Sequence, residues 1–190
     1  DVSSTESIST LLGDVFMDYT MNQRSQARKG NRDDIMAPHN CYRCKGDDKW
    51  ISIAISNDEE WKVFSTAIGN PEWARDEKFT DAYSRKANEE ELDRLISQWT
   101  INHTHCEVME VLQRAGVAAM PSFSNVELFN DPHFKARERT VELEHPEQGR
   151  ITLLRPPWKL SATPAKGHAP GAGVIEIRAF HFGELLGMSE

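Results

Sequence analysis

The chain has 190 residues, 38% hydrophobic and 27% charged, with 22 Lys and Arg against 30 Asp and Glu for a formal net charge of −8. That is enough apolar material for one domain, or one plus an appendage, while no run approaches the ~20 apolar residues of a membrane-spanning helix. The acidic balance argues against a binder of nucleic-acid backbone, which needs a concentrated basic face, but leaves room for one small anionic ligand.

In chain order, Asp1 to Thr5 carry no basic or apolar leader pattern and no initiator Met, so the chain is expected to be a processed product or a piece of something longer. Ile8, Leu11, Leu12, Val15, Phe16 and Tyr19 recur at helical spacing and predict one amphipathic helix over 6–21. Residues 22–40 are polar and basic and read as a long connecting loop. Cys41 to Lys45, the turn Gly46-Asp47-Asp48, and Lys49 to Ile55 predict a β-hairpin. Trp50, Ser52 and Ala54 would lie on one face of its second strand, and Ile51, Ile53 and Ile55 on the other.

Three helices are predicted next. Asn57 with Glu60 caps the first, with Trp61, Phe64 and Ile68 as its stripe up to Gly69. Asn88 with Glu91 caps the second, over 88–101. Thr104 with Glu107 opens the third, which closes at Gly116. Val117 to Pro121 is extended, Ser124 to Phe129 is a short helix, and 141–144 with 150–154 form a second hairpin. Residues 155–173, with four prolines, are expected to be extended and 180–188 helical. Strands do not alternate regularly with helices, so the class is α+β with antiparallel strands.

Cys41-x-x-Cys44 has the spacing of a zinc or redox pair, with His39, His103, His105 and Cys106 as possible further ligands. No second pair follows, so ordinary small residues are the stronger reading and no metal site is assigned. With Cys106 the cysteines number three, a poor disulfide framework that points to a reducing compartment, here the cytoplasm. Asp58-Glu59-Glu60 and Glu89-Glu90-Glu91 sit in first helical turns, where they complement the helix dipole. No nucleophile elbow is present. Arg24, Arg28, Lys29 and Arg32 form one basic patch that could face a phosphate-bearing ligand or simply be a solvated loop.

Longer phrases carry more. Gly30-Asn31-Arg32-Asp33, Met36-Ala37-Pro38-His39 and Tyr42-Arg43-Cys44-Lys45-Gly46-Asp47-Asp48-Lys49-Trp50 come first. Then follow Leu112-Gln113-Arg114-Ala115-Gly116-Val117-Ala118-Ala119, Asp131-Pro132-His133-Phe134, Glu144-His145-Pro146-Glu147-Gln148-Gly149, Leu160-Ser161-Ala162-Thr163-Pro164-Ala165 and Gly183-Glu184-Leu185-Leu186-Gly187-Met188-Ser189. In this order they resemble the back half of the family III (CaiB/BaiF-type) CoA-transferases, which include formyl-CoA and carnitine CoA-transferases and the α-methylacyl-CoA racemases.

The resemblance implies a linker helix and loop over 1–35, a small α+β domain over 36–145, and a segment over 146–190 returning to a Rossmann-like large domain. It implies that a nucleophilic Asp lies upstream of Asp1-Val2-Ser3, so that no residue of this chain is catalytic and the chain alone is inactive. It implies acyl-CoA and a carboxylic acid acceptor as substrates, no tightly bound cofactor, and an interlocked homodimer. It places Asn31, Met36, Pro38 and His39 on the substrate side. Freed of its large-domain partner, the 6–21 stretch should expose apolar surface. Where the racemases carry a Glu after the second strand, this chain has Asn57, which favours transfer over racemisation. A zinc-holding binding module remains the alternative from another class. The stretch Gly171 to Phe180 departs from the family pattern.

Overall fold

A computed structural model describes residues 3–145, 148–155 and 159–163, which divide into two compact units at Ser122/Phe123. The fold is α+β, with several helices and two small antiparallel sheets.

The first unit opens with α1 (Ser4–Ser9) and α2 (Gly13–Asn22). The single helix expected over 6–21 is broken at 10–12. There Leu11 N donates to Ile8 O and Leu12 N to Ser9 O, the tight i→i+3 bonds that close a helix, and α2 starts afresh at Gly13. Apolar side chains of the break and of α2 face water, Leu11, Met17 and Met21 among the most exposed. An irregular segment then leads to β1 (His39–Arg43) and β2 (Trp50–Ala54), paired with Tyr42 opposite Ile51. The predicted faces are observed: Ile51, Ile53 and Ile55 are buried, whereas Ser52 is exposed.

α3 (Asp58–Ala67) is capped by the Asn57 side chain on Glu60 N, as read from the sequence. Two short 3₁₀ turns (Glu72–Arg75 and Glu77–Phe79) and α4 (Ala82–Ala87) follow, none of them foreseen. α5 (Glu89–Thr100) matches expectation in extent but not in its cap. The Asn88 amide donates instead to Ser84 O at 2.9 Å, closing α4, because one residue serves as the end of one helix and the start of the next. α6 (His105–Arg114) has the full Thr104/Glu107 capping box. β3 (Ala118–Pro121) pairs antiparallel with β2, which the extended reading of 117–121 did not anticipate.

Tertiary packing explains this order. The β2 isoleucines pack with Phe64, Leu92, Ile96, Val108 and Leu112, so α3, α5 and α6 cover the same face of the three-stranded sheet. Trp61, Phe64, Trp73 and Phe79 form an aromatic cluster with centroids 5.4 to 6.4 Å apart. At the β3 edge, Ser122 N bonds Trp50 O, which turns the main-chain groups of Ala119 and Pro121 outward. Pro121 has no N–H, and the Gln113 amide occupies the Ala119 carbonyl at 2.7 Å.

The second unit holds α7 (Asn125–Asn130), with a Ser124/Glu127 capping box, and α8 (Pro132–Ala136), capped by Asp131. The expected second hairpin is present as β4 (Thr140–His145) and β5 (Gly149–Leu154). The expectations for 180–188 and for most of 155–173 lie outside the described residues.

Candidate functional site

Because the helices cover one face of the sheet, the opposite face is left uncovered by the described elements of the first unit. Strand alternation and register line up Cys41, Ser52 and Met120 in one row, and His39, Ala54 and Ala118 in the next. Together with Asn31 and Gln113 they bound an open groove of about 500 Å³. His39 Nδ1 bonds the Asn31 backbone carbonyl, and the Asn31 amide donates to Asn40 Oδ1 at 3.4 Å.

The wall that carries Asn31 is held by a polar frame behind it. Arg85, 1% exposed, donates from Nε to Ala37 O at 2.9 Å and from its terminal nitrogens to Phe79 O and Asp58 Oδ1. Its guanidinium lies 5.2 Å from the Trp61 ring centroid. Lys86 donates to Asp33 O and to Glu89. The Asp33 carboxylate accepts the N–H groups of Met36 and Ile35, which hold it below the usual carboxylate range. Arg32 reaches Glu89, Glu90 and Asp93 at 3.6 to 3.8 Å. Asp93 also accepts from the Tyr42 hydroxyl at 2.6 Å and the Asn40 amide at 2.9 Å. Burial and the Asp93 charge push the Tyr42 hydroxyl far above its ordinary pKa.

Of the four expected substrate-side residues, the structure brings Asn31 and His39 together on the groove. Met36 is half-buried, its N–H given to Asp33. Pro38 is buried after a cis Ala37–Pro38 peptide, its carbonyl accepting from Ile55 N. Neither side chain lines the groove. Ser52, Gln113, Ala118 and Met120 were not foreseen there. The signal available was the polar alternation of Trp50, Ser52 and Ala54 beside a run of helices able to cover only one face.

The other motifs resolve into structural roles. Cys44 is fully buried in the core while Cys41 lies on the groove, so the pair splits across the sheet. Burial raises the Cys44 thiol to about 11, opposite to what a thiolate ligand requires. Among the described residues no three His, Cys, Asp or Glu converge as metal ligands. In the basic patch, Arg24 pairs with Asp18 at 2.7 Å, Lys29 with Asp34, and Arg32 with the α5 acids. His103 stacks on Trp99 at 4.9 Å and accompanies the α6 cap. In the acid runs, Asp58 pairs with Arg85 and Glu89 with Lys86.

The model of CoA-transferase family III matches residues 1–174. The chain belongs to this family. The succinyl-CoA–D-citramalate CoA-transferase of Chloroflexus aurantiacus is 30% identical over 190 residues, all of this chain and 47% of that protein. The formyl-CoA:oxalate CoA-transferase of Bradyrhizobium diazoefficiens is 29% identical over 141 residues, 73% of this chain and 33% of that protein. Among solved structures, a CAIB/BAIF family protein from Brucella suis superimposes with a TM-score of 0.71 at 29% identity, covering 91% of this chain and 45% of that one. The chain thus spans about half the length of the curated relatives it matches over its whole extent. As a family III member it shares the α+β architecture of its structural neighbours. Among the described residues no helix is long and apolar enough to cross a membrane.

Proposed function

We propose that this chain is part of a cytoplasmic acyl-CoA:carboxylate CoA-transferase, with the groove on the bare sheet face receiving the acyl end of the substrate. The match to the family over residues 1–174 carries this reading. The groove supports it by gathering Asn31 and His39 within the matched residues. Coenzyme A enters as the thioester substrate, with no tightly bound cofactor.

In this reading an Asp from sequence outside the 190 residues attacks the donor thioester carbonyl. The C–S bond breaks, CoA thiolate leaves, and a mixed anhydride forms. The thiolate then attacks the Asp carbonyl and releases the donor acid, leaving an enzyme–CoA thioester. The acceptor carboxylate attacks that thioester and frees the thiolate again, and the thiolate takes the new acyl group from the second anhydride. Asn31 and His39 position the acyl end, while Met36 and Pro38 shape the wall behind them. The catalytic assembly is an interlocked homodimer in which the apolar face of α1 and α2 is covered.

Asn57 supports transfer over racemisation. Position 57 itself carries no carboxylate to move an α-proton; its amide donates to Ser56 Oγ and Glu60 Oε1, and the Glu60 carboxylate is held by Ser56 N and Oγ at the start of α3. The test is CoA exchange by the complete gene product containing this chain. Succinyl-CoA and acetyl-CoA serve as donors against a panel of mono- and dicarboxylic acids, with new CoA esters detected by mass. A new ester is expected for at least one acid; no ester across the panel overturns the reading.

A further inference from the structure

We infer that the groove accepts an uncharged acyl tail and rejects a second carboxylate. This rests on the transferase reading above and adds the class of acid. Among the described residues no Asp, Glu, Lys or Arg lines the groove. Its only titratable lining groups are His39 and Cys41.

The polar groups present are poorly set to receive an anion. A backbone carbonyl can only accept, so the His39 Nδ1 that faces Asn31 O carries the proton. The Asn40 amide gives one N–H to Asp93 and the Gln113 amide one to Ala119 O, and the second N–H of each is a neutral donor. Asn40 also sets the negative Asp93 carboxylate close behind the wall. Arg32, next in sequence to Asn31, is shared among Glu89, Glu90 and Asp93. Ser52 adds one neutral hydroxyl, and much of the remaining surface is apolar: Ala54, Val117, Ala118 and Met120. A distal carboxylate placed here would exchange water for neutral donors and gain no Lys or Arg counter-ion, which is unfavourable, whereas a short alkyl chain fills the same space favourably.

The experiment compares kcat/KM for butyrate and succinate as acceptors from acetyl-CoA, using the complete gene product. Butyrate is expected to be preferred by at least tenfold. Ala118→Arg and, independently, Ser52→Lys place a cation at exposed positions of the bare face and should shift the ratio toward succinate by tenfold or more. Tyr83→Arg adds the same charge at an exposed site on α4 and should leave the ratio unchanged. Circular dichroism confirms that each variant is folded. A wild-type preference for succinate overturns the inference, and so do groove variants whose ratio equals that of Tyr83→Arg. Absence of exchange with every acid is recognisable separately, because no ratio then exists; it overturns the transferase reading and this inference with it.

Discussion

Arg85 Nε donates to the carbonyl oxygen of Ala37 at 2.9 Å, tying α4 to the loop 48 positions earlier in the chain. That loop carries Asn31 and leads into His39, so a buried guanidinium far from the groove holds the groove's wall. Replacing Arg85 with Met keeps volume but strands two carbonyls and removes the Asp58 pair. A stability loss of ~3 kcal/mol is expected in urea denaturation. A loss below ~1 kcal/mol would show that water replaces the guanidinium.

The Tyr42–Asp93 bond predicts an alkaline signature. Below the ordinary tyrosine pKa of about 10, both states keep the proton and the bond contributes fully. Above it the unfolded chain gives up the proton while folded Tyr42, with its raised pKa, retains it. Stability therefore falls as pH rises beyond about 10, by up to ~1.4 kcal/mol per pH unit. Tyr42→Phe should cost ~1.5–2 kcal/mol at neutral pH and flatten the alkaline slope. Chemical denaturation between pH 8 and 11 reads both, and an unchanged slope in the variant would refute the assignment.

Thiol labelling should separate the cysteines by place in the fold. Cys41 is half-buried on the groove, whereas Cys44 has no exposed surface and a thiol pushed up to about 11. N-ethylmaleimide at pH 8 should modify native Cys41 well before Cys44, which becomes reactive only on unfolding. Peptide mass mapping over time gives the order; equal rates would contradict the burial of Cys44.

His39→Ala should lower kcat/KM for CoA exchange by about tenfold, the worth of one well-placed hydrogen bond near 1.4 kcal/mol. Thermal unfolding should change little, since His39 is only partly buried. An exchange rate equal to wild type in a folded variant would remove His39 from the site.

Local chemistry was readable where it acts within a few residues. The caps at Asn57 and Thr104 and the two faces of β2 follow from spacing alone. Features set by partners distant in sequence were not. Asn88 looks like an N-cap until α4 ends beside it, and 117–121 looks merely extended until β2 offers it a register. The sequence carries no local signal that Arg85 is buried, because its three acceptors lie at Ala37, Asp58 and Phe79. The groove was half legible for the same reason. Asn31 and His39 came from phrases resembling the family, but Ser52 and Met120 become neighbours only when three strands are laid side by side.

The outward edge of β3 sets a limit on how chains can stack. An incoming strand needs alternating donors and acceptors, yet Pro121 offers no donor and Gln113 already occupies the Ala119 acceptor. Strand-by-strand templating is blunted along this border, because a second copy adding there finds fewer main-chain partners than an open edge offers.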